Sequence, residues 1–316
     1  MKRALLVLAK IIISVGLLAL LIWLVRKDIP EIVPAISSCD LKYLSAAVLI
    51  FVFNVAAMAY RLKIVFEGES LSMTFLECLQ LTYMGYFFNN FMPTSVGGDL
   101  VKGHLSVKDK ADRIRAYASV MMDRLIGLYS FLILAAGALI YKREMPGLKY
   151  VSEIILIMLS GGAIMFWIVI HEKIALLVER FFSRIKLGGL GEKLKSVYDI
   201  VHDYRKRMDV VVKSLLISFV SQGMYFVTIY FFFLALGASS VRLLDICLVV
   251  PVVSFISMLP SIGGLGVREG AMVAFFGPLV GKQTAFAVSI LLLLGLFVVS
   301  IIGGAIYFYW SVFRKK

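Results

Sequence analysis

Long apolar runs constrain this chain more than any motif in it. Residues 11–25, 44–65, 125–140, 154–170, 215–236 and 285–310 approach or exceed the roughly 20 mostly apolar residues that cross a bilayer. Hydrocarbon offers no partner to a backbone N–H or C=O, so each run reads as a helix. The other membrane solution, a closed barrel, needs residues alternating between two faces, and these runs do not alternate. A soluble fold is excluded by the amount of apolar surface: 61% of the 316 residues are hydrophobic, 17% are charged and the mean hydropathy is +0.94, against about 45–50% and about 25% in soluble domains. The expected fold class is an all-α integral membrane protein, with residues 1–316 forming one transmembrane domain.

Lys2 and Arg3 ahead of the first run also suit a signal peptide. The run is too long for one, no small-x-small site follows, and Arg26 and Lys27 close it, so it reads as a retained anchor. The net charge of +13 lies in loops and flanks, where it orients helices and meets anionic headgroups. It points to the membrane and not to nucleic acid. Positive-inside counting puts both termini in the cytoplasm of a multi-pass cell-membrane protein, with the basic stretch 171–213 on the same side. Within that stretch Leu190, Leu194, Val197, Val201, Tyr204, Met208 and Val211 recur at spacings of three and four. They form one apolar stripe, suited to a helix lying on the membrane surface or packed on the protein's own loops.

The same counting leaves two segments that enter and leave from one side. The first carries Asn89-Asn90-Phe91-Met92-Pro93-Thr94-Ser95-Val96-Gly97-Gly98-Asp99, the second Pro260-Ser261-Ile262-Gly263-Gly264-Leu265-Gly266-Val267-Arg268-Glu269. Neither suits a straight lipid-facing helix. Their prolines stand 167 positions apart, about half the chain. The expectation is about six spanning helices plus two re-entrant helical hairpins, arranged as inverted-topology repeats of about 1–145 and 146–316. Interrupted segments at equivalent places in inverted halves are a sequence pointer to a transport site.

A half-helix starting inside the membrane presents unpaired amides and a positive dipole end, which suits a phosphate. Gly97, Gly98, Gly263 and Gly264 let a ligand approach the backbone. Lys102 and Arg268 add full charge one turn later, with Asp99 and Glu269 as counter-charges. Such groups cost about 2.5–3.5 kcal/mol at membrane depth and are kept where they face a cavity or a partner. Two readings stay open: an anionic lipid headgroup site, or mutual ion pairs that hold the hairpins. Arg61 and the pair Asp123-Arg124 extend the polar path, although an arginine near a helix end usually snorkels.

Enzyme signatures are missing. Gly277-Pro278-Leu279-Val280-Gly281-Lys282-Gln283-Thr284 is one residue short of a phosphate-binding loop and has Gln283 where Ser or Thr is needed. Cys39, Cys78, Cys247, His104, His171 and His202 are scattered, so neither a disulfide framework, a metal site nor a cofactor is expected. A homodimer through a membrane face has no motif behind it.

Arg61, Gly85-Tyr86-Phe87-Phe88-Asn89-Asn90, the two Pro-Gly-Gly segments and Asp123-Arg124 resemble those of the flippase-like transmembrane family that includes the N-terminal half of lysylphosphatidylglycerol synthases. The resemblance covers nearly the whole chain. It implies translocation of a lipid between leaflets, with Arg61, Asn89, Asn90, Ser95, Gly97, Gly98, Asp99, Lys102, Asp123, Arg124, Ser261, Gly263, Gly264, Arg268 and Glu269 as the substrate-binding set. In the full-length synthases a C-terminal soluble domain transfers the amino acid; that domain is not expected here, so a transporter is expected and not a transferase. The alternatives are a membrane-embedded lipid-modifying enzyme or subunit, and a scaffold that docks a soluble lipid synthase through the basic stretch.

Overall fold

In a computed structural model of the chain, the described residues are 39–91, 97–107, 112–141, 148–170, 190–258 and 266–313, with Pro30, Pro34 and Ser37. The long elements among them are all helical: α1 Leu41–Gly68, α2 Phe75–Phe91, α3 Gly97–Ser106, α4 Arg113–Ile140, α5 Leu148–Ile170, α6 Leu190–Asp203, α7 Met208–Ala235, α8 Leu243–Ile256, α9 Val267–Val280 and α10 Lys282–Phe313. A 3-10 turn, Tyr204–Lys206, stands between α6 and α7. The expected first span, both hairpin tips and residues 171–189 lie outside the described residues.

Four helices, α1, α4, α7 and α10, are long and apolar enough to cross a membrane. At 28 to 32 residues each, they are longer than the apolar runs on which they stand. Helix α5 adds 23 residues. Helices α2 and α8 start on carboxylates. Thr74 and Glu77 form a capping box before α2: the Thr74 N–H and hydroxyl both donate to Glu77 Oε2, at 3.1 and 2.9 Å, and the Glu77 N–H returns to Thr74 Oγ1 at 3.3 Å. At α8 the Arg242 N–H donates to Asp245 Oδ2 at 2.9 Å. Helix α7 ends on Gly237, whose φ of 73° is left-handed. There the Gly237 and Ala238 amides close onto the Leu234 and Phe233 carbonyls at 3.0 and 2.9 Å, a turn that a side chain would strain.

The chain forms two compact units, each drawn from both halves of the sequence: residues 1–53, 80–101 and 224–316, and residues 54–79 and 102–223. In the first, α8 packs on α9 and α9 runs along α10. Helix α10 meets α2 backbone to backbone. A Cβ on Gly303 would overlap the Tyr83 carbonyl and stand 3.1 Å from the Met84 nitrogen, and one on Gly304 would stand 2.9 Å from the Phe87 ring. Close approach of this kind is how small residues join membrane helices. Trp310 Nε1 donates to Gln80 Oε1 at 3.1 Å, and Tyr307 meets Phe88 edge-on at 4.9 Å.

In the second unit α4 packs on α5 and α6. Val65, Ile126 and Tyr204 form a buried cluster there, joined by Met122, Ile200, Val210, Val211 and Leu215. The apolar stripe of the basic stretch is therefore divided. Val201 and Tyr204 are buried against the protein, and the 3-10 turn ends the amphipathic helix. Met208 and Val211 belong to the membrane helix α7, which starts seven residues before the apolar run does. Periodicity alone carries through a turn of this kind, because a 3-10 turn keeps residues three apart on one side.

Candidate functional site

The candidate residues fall into three clusters. The first lies in the unit made of residues 54–79 and 102–223. Arg61, in the second half of α1, is only 3% exposed. Its Nε and Nη2 donate to Asp123 Oδ1 and Oδ2 at 2.6 and 3.1 Å, and its Nη1 donates to Ser218 Oγ at 2.6 Å. The fork-to-fork geometry is the strong, oriented form of an ion pair. Gly127 makes room for it: a Cβ there would stand 3.0 Å from Nη1. Arg61 therefore does not snorkel, and the partner of Asp123 in this bidentate pair is Arg61 on another helix, while the neighbouring Arg124 is half-buried. Beside the pair, Asn54 Nδ2 donates to Ser221, to its carbonyl and, at 3.2 Å, to its hydroxyl. At the end of α1, outside the span, Arg207 donates to the Gly68 carbonyl and pairs with Glu69 at 2.6 Å. Burial pushes the Glu69 carboxyl above the usual carboxylate range, with Arg207 opposing.

The second cluster holds the break between α2 and α3. Asn89 Oδ1 accepts the Gly98 N–H at 2.7 Å, so this side chain caps the new helix. Gly98 is required by contact: a Cβ would overlap the Gly85 carbonyl and stand 2.8 Å from the Asn89 carboxamide. Asn90 Nδ2 donates to Ser300 Oγ on α10, whose hydroxyl also reaches the Tyr86 carbonyl at 3.3 Å. Gly97 is buried with Gly98, Asp99 is half-buried, and Lys102, one turn on, is 8% exposed. Ser95 lies outside the described residues.

The third cluster sits where α9 begins. Gly266 has a φ of 79° and donates its N–H to Glu269 Oε2 at 2.6 Å. Arg268 Nε and Nη2 reach Glu269 Oε1 at 3.2 and 2.7 Å, and both side chains are buried. Glu269 thus serves the helix start and the arginine together. Arg268 also lines a cavity of about 200 Å³ with Tyr225, Ser254, Ser257 and Met258. Ser261, Gly263 and Gly264 lie outside the described residues. In both breaks one amide at the start of the new helix already has a side-chain partner.

Sequence reasoning missed Ser218, Ser221, Ser300, Tyr225, Ser254 and Ser257. A small polar residue inside an apolar span is the available signal, since it is worth burying only with a partner. Among the described residues no group of three or more His, Cys, Asp or Glu stands within reach of one metal ion.

Residues 7–304 match the family described as the lysylphosphatidylglycerol synthase transmembrane region. A UPF0104 membrane protein of Pyrococcus horikoshii is 25% identical over 311 residues, covering 90% of each chain. Two UPF0104 membrane proteins of Methanothermobacter thermautotrophicus are 25% identical over 295 residues and 27% identical over 229, covering 84% and 64% of each chain. The match runs over nearly the full length, on a chain in which four of the described helices are long and apolar enough to cross a membrane: the protein is a membrane protein of the lysylphosphatidylglycerol synthase transmembrane-region family.

Proposed function

We propose that the chain is a transporter and not an enzyme, moving a lipid with an anionic headgroup across the cytoplasmic membrane. In this reading about six helices span, α2–α3 and α8–α9 are re-entrant hairpins, the halves are inverted repeats, and both termini are cytoplasmic. The helix succession supports the repeat. Long, short, break, short, long occurs as α1 to α4 and again as α7 to α10. The starts Leu41 and Met208, and the ends Gly68 and Ala235, share the 167-residue spacing of the two prolines. The hydrogen-bonded residues Asn54 and Ser221 share it too. Equivalent positions of two copies touch only near an axis that relates the copies, as inverted halves require.

One observation carries the transport reading: a buried arginine borders a mainly apolar cavity that also holds the hydroxyls of Tyr225, Ser254 and Ser257, close to the start of α9. Keeping Arg268 at such depth is costly without a purpose. Its cavity, about 200 Å³, is below the roughly 300–1,000 Å³ of sites that enclose a whole ligand. That size suits a headgroup whose tails stay in the bilayer. An anionic headgroup exchanges with Glu269 for the guanidinium, and Lys102 plays the matching part at the other break.

The test is reconstitution of the purified protein in liposomes with headgroup-labelled phosphatidylglycerol and an outer-leaflet quencher. The expected result is movement well above empty liposomes, slowed about tenfold, or ~1.4 kcal/mol, by Arg268→Gln or Lys102→Gln. No movement above empty liposomes refutes transport. A new lipid product on adding aminoacyl-tRNA replaces transport with the enzyme reading.

A further inference from the structure

The second unit holds a larger cavity, of about 420 Å³, between α4, α5, the end of α6 and the start of α7. Its walls include Met122 and Leu132 of α4, Leu159 of α5, Val201 of α6, Tyr204 and Leu215. The polar ends of its tyrosines are already engaged. Tyr204 donates to the Val65 carbonyl at 3.1 Å, and Tyr129 donates to the Gly162 carbonyl. Apart from Arg205 at one edge, the lining therefore presents ring faces and aliphatic groups. Cavities of that kind stay dry or take an apolar ligand. This volume falls within the range of ligand sites.

The cavity is not sealed. Met208 and Val212 on its edge are 50% and 48% exposed. One charged residue, Arg205, joins the lining. Helix α7, long and apolar enough to cross a membrane, starts at Met208, seven residues ahead of its apolar run; on that reading a guanidinium three residues earlier stands among headgroups and the apolar walls beyond it reach toward the acyl chains. An arginine beside an apolar slot at this level matches a lipid phosphate above its own hydrocarbon chain.

From this we infer a lipid site: one hydrocarbon chain of an anionic bilayer lipid fills the cavity, and Arg205 holds its phosphate. The inference rests on membrane residence alone and stands whether or not the protein transports. It also gives the apolar stripe of the basic stretch a task, since Val201 of α6, Tyr204 of the 3-10 turn, and Met208 and Val211 of α7 all line the slot.

The test uses the full chain in liposomes containing phosphatidylglycerol with a photoactivatable diazirine at mid-chain, followed by peptide mapping. Labelling is expected to concentrate on peptides bearing residues 122–133 and 201–215. Ala163→Trp, which adds bulk to the wall at an exposed position, is expected to cut that labelling at least fivefold. Arg205→Gln is expected to cut it for phosphatidylglycerol more than for the matching phosphatidylcholine probe. A monodisperse elution profile and unchanged labelling elsewhere establish that each variant is folded. Labelling spread evenly over the lipid-facing helices, or unchanged in both variants, overturns the site in favour of ordinary annular contact. Lining residues that label only after residues 171–189 are replaced by a Gly-Ser linker overturn it too, because that segment then is the occupant.

Discussion

Replacing Asp123 by alanine strands a guanidinium that the fold has sealed from water. Arg61 is 3% exposed and makes three donor contacts, two of them to the Asp123 carboxylate. After the substitution only the Ser218 hydroxyl remains in place. Removing one partner of a buried pair typically costs 3–5 kcal/mol, because the survivor keeps its desolvation penalty and loses its compensation. At about 1.4 kcal/mol per tenfold, that lowers the folding equilibrium by roughly two to four orders of magnitude. Arg61→Met with Asp123→Leu removes both charges and keeps the volume, and such replacements are often neutral. The double variant is therefore expected within about 1 kcal/mol of the parent. Unfolding of the purified protein in mixed micelles with increasing sodium dodecyl sulfate, followed by far-ultraviolet circular dichroism, gives all four corners of the cycle. An Asp123→Ala cost below about 1 kcal/mol refutes the reasoning, as does a double variant no more stable than the worse single one. The first outcome means that water reaches the pair; the second, that the pair's own attraction, and not a stranded charge, carries the cost.

Two further outcomes follow from geometry at the helix ends and crossings. Gly98→Val and Gly303→Val each push a side chain into a carbonyl oxygen, of Gly85 and Tyr83, and overpacking of this sort costs about 1–3 kcal/mol or more. Both are expected to lower the thermal midpoint by several degrees, with alanine at neutral surface sites as the control. Glu69 is expected to make stability depend on pH. Its folded-state pKa is raised by burial, so the folded state binds the proton more tightly than the unfolded state does. Stability then falls as pH rises from the ordinary carboxylate value through the raised one. Glu69→Gln is expected to flatten that slope in the same micelle titration, and a steeper slope contradicts the assignment.

Much of the fold is legible from apolar runs, because a bilayer leaves the backbone few choices. Helices α1, α4, α7 and α10 all stand on such runs, and the runs understate them: α1 and α10 extend three residues beyond at each end, α7 starts seven residues earlier and α4 twelve. The end of α2 at Phe91 and the start of α3 at Gly97 flank a Pro-and-Gly segment, a local signal that is legible for that reason. Arg61 is the opposite case. Nothing near it in sequence reveals that Asp123, 62 positions on, faces it, so the habit of arginines near helix ends suggested snorkelling. The division of the amphipathic stripe was hidden for a related reason: the spacing from Tyr204 to Met208 is the same whether a 3-10 turn intervenes or not. Lys102 and Arg268 were found by alignment of the two breaks, while Tyr225, Ser254 and Ser257 belong to neither motif and come to Arg268 only through packing.

The Asn54–Ser221 contact has a consequence of its own under the proposed inverted arrangement. A position lying on the axis of a symmetric dimer meets its own copy, so one residue type has to serve as donor and acceptor at once. Joining the copies in one chain lifts that requirement, and here the roles have separated: Asn54 gives the hydrogen bonds and Ser221 receives them. Chains of this family that keep the contact are then expected to change the two positions together, and a swap that exchanges the roles, Asn54→Ser with Ser221→Asn, tests how far the halves have drifted from equivalence.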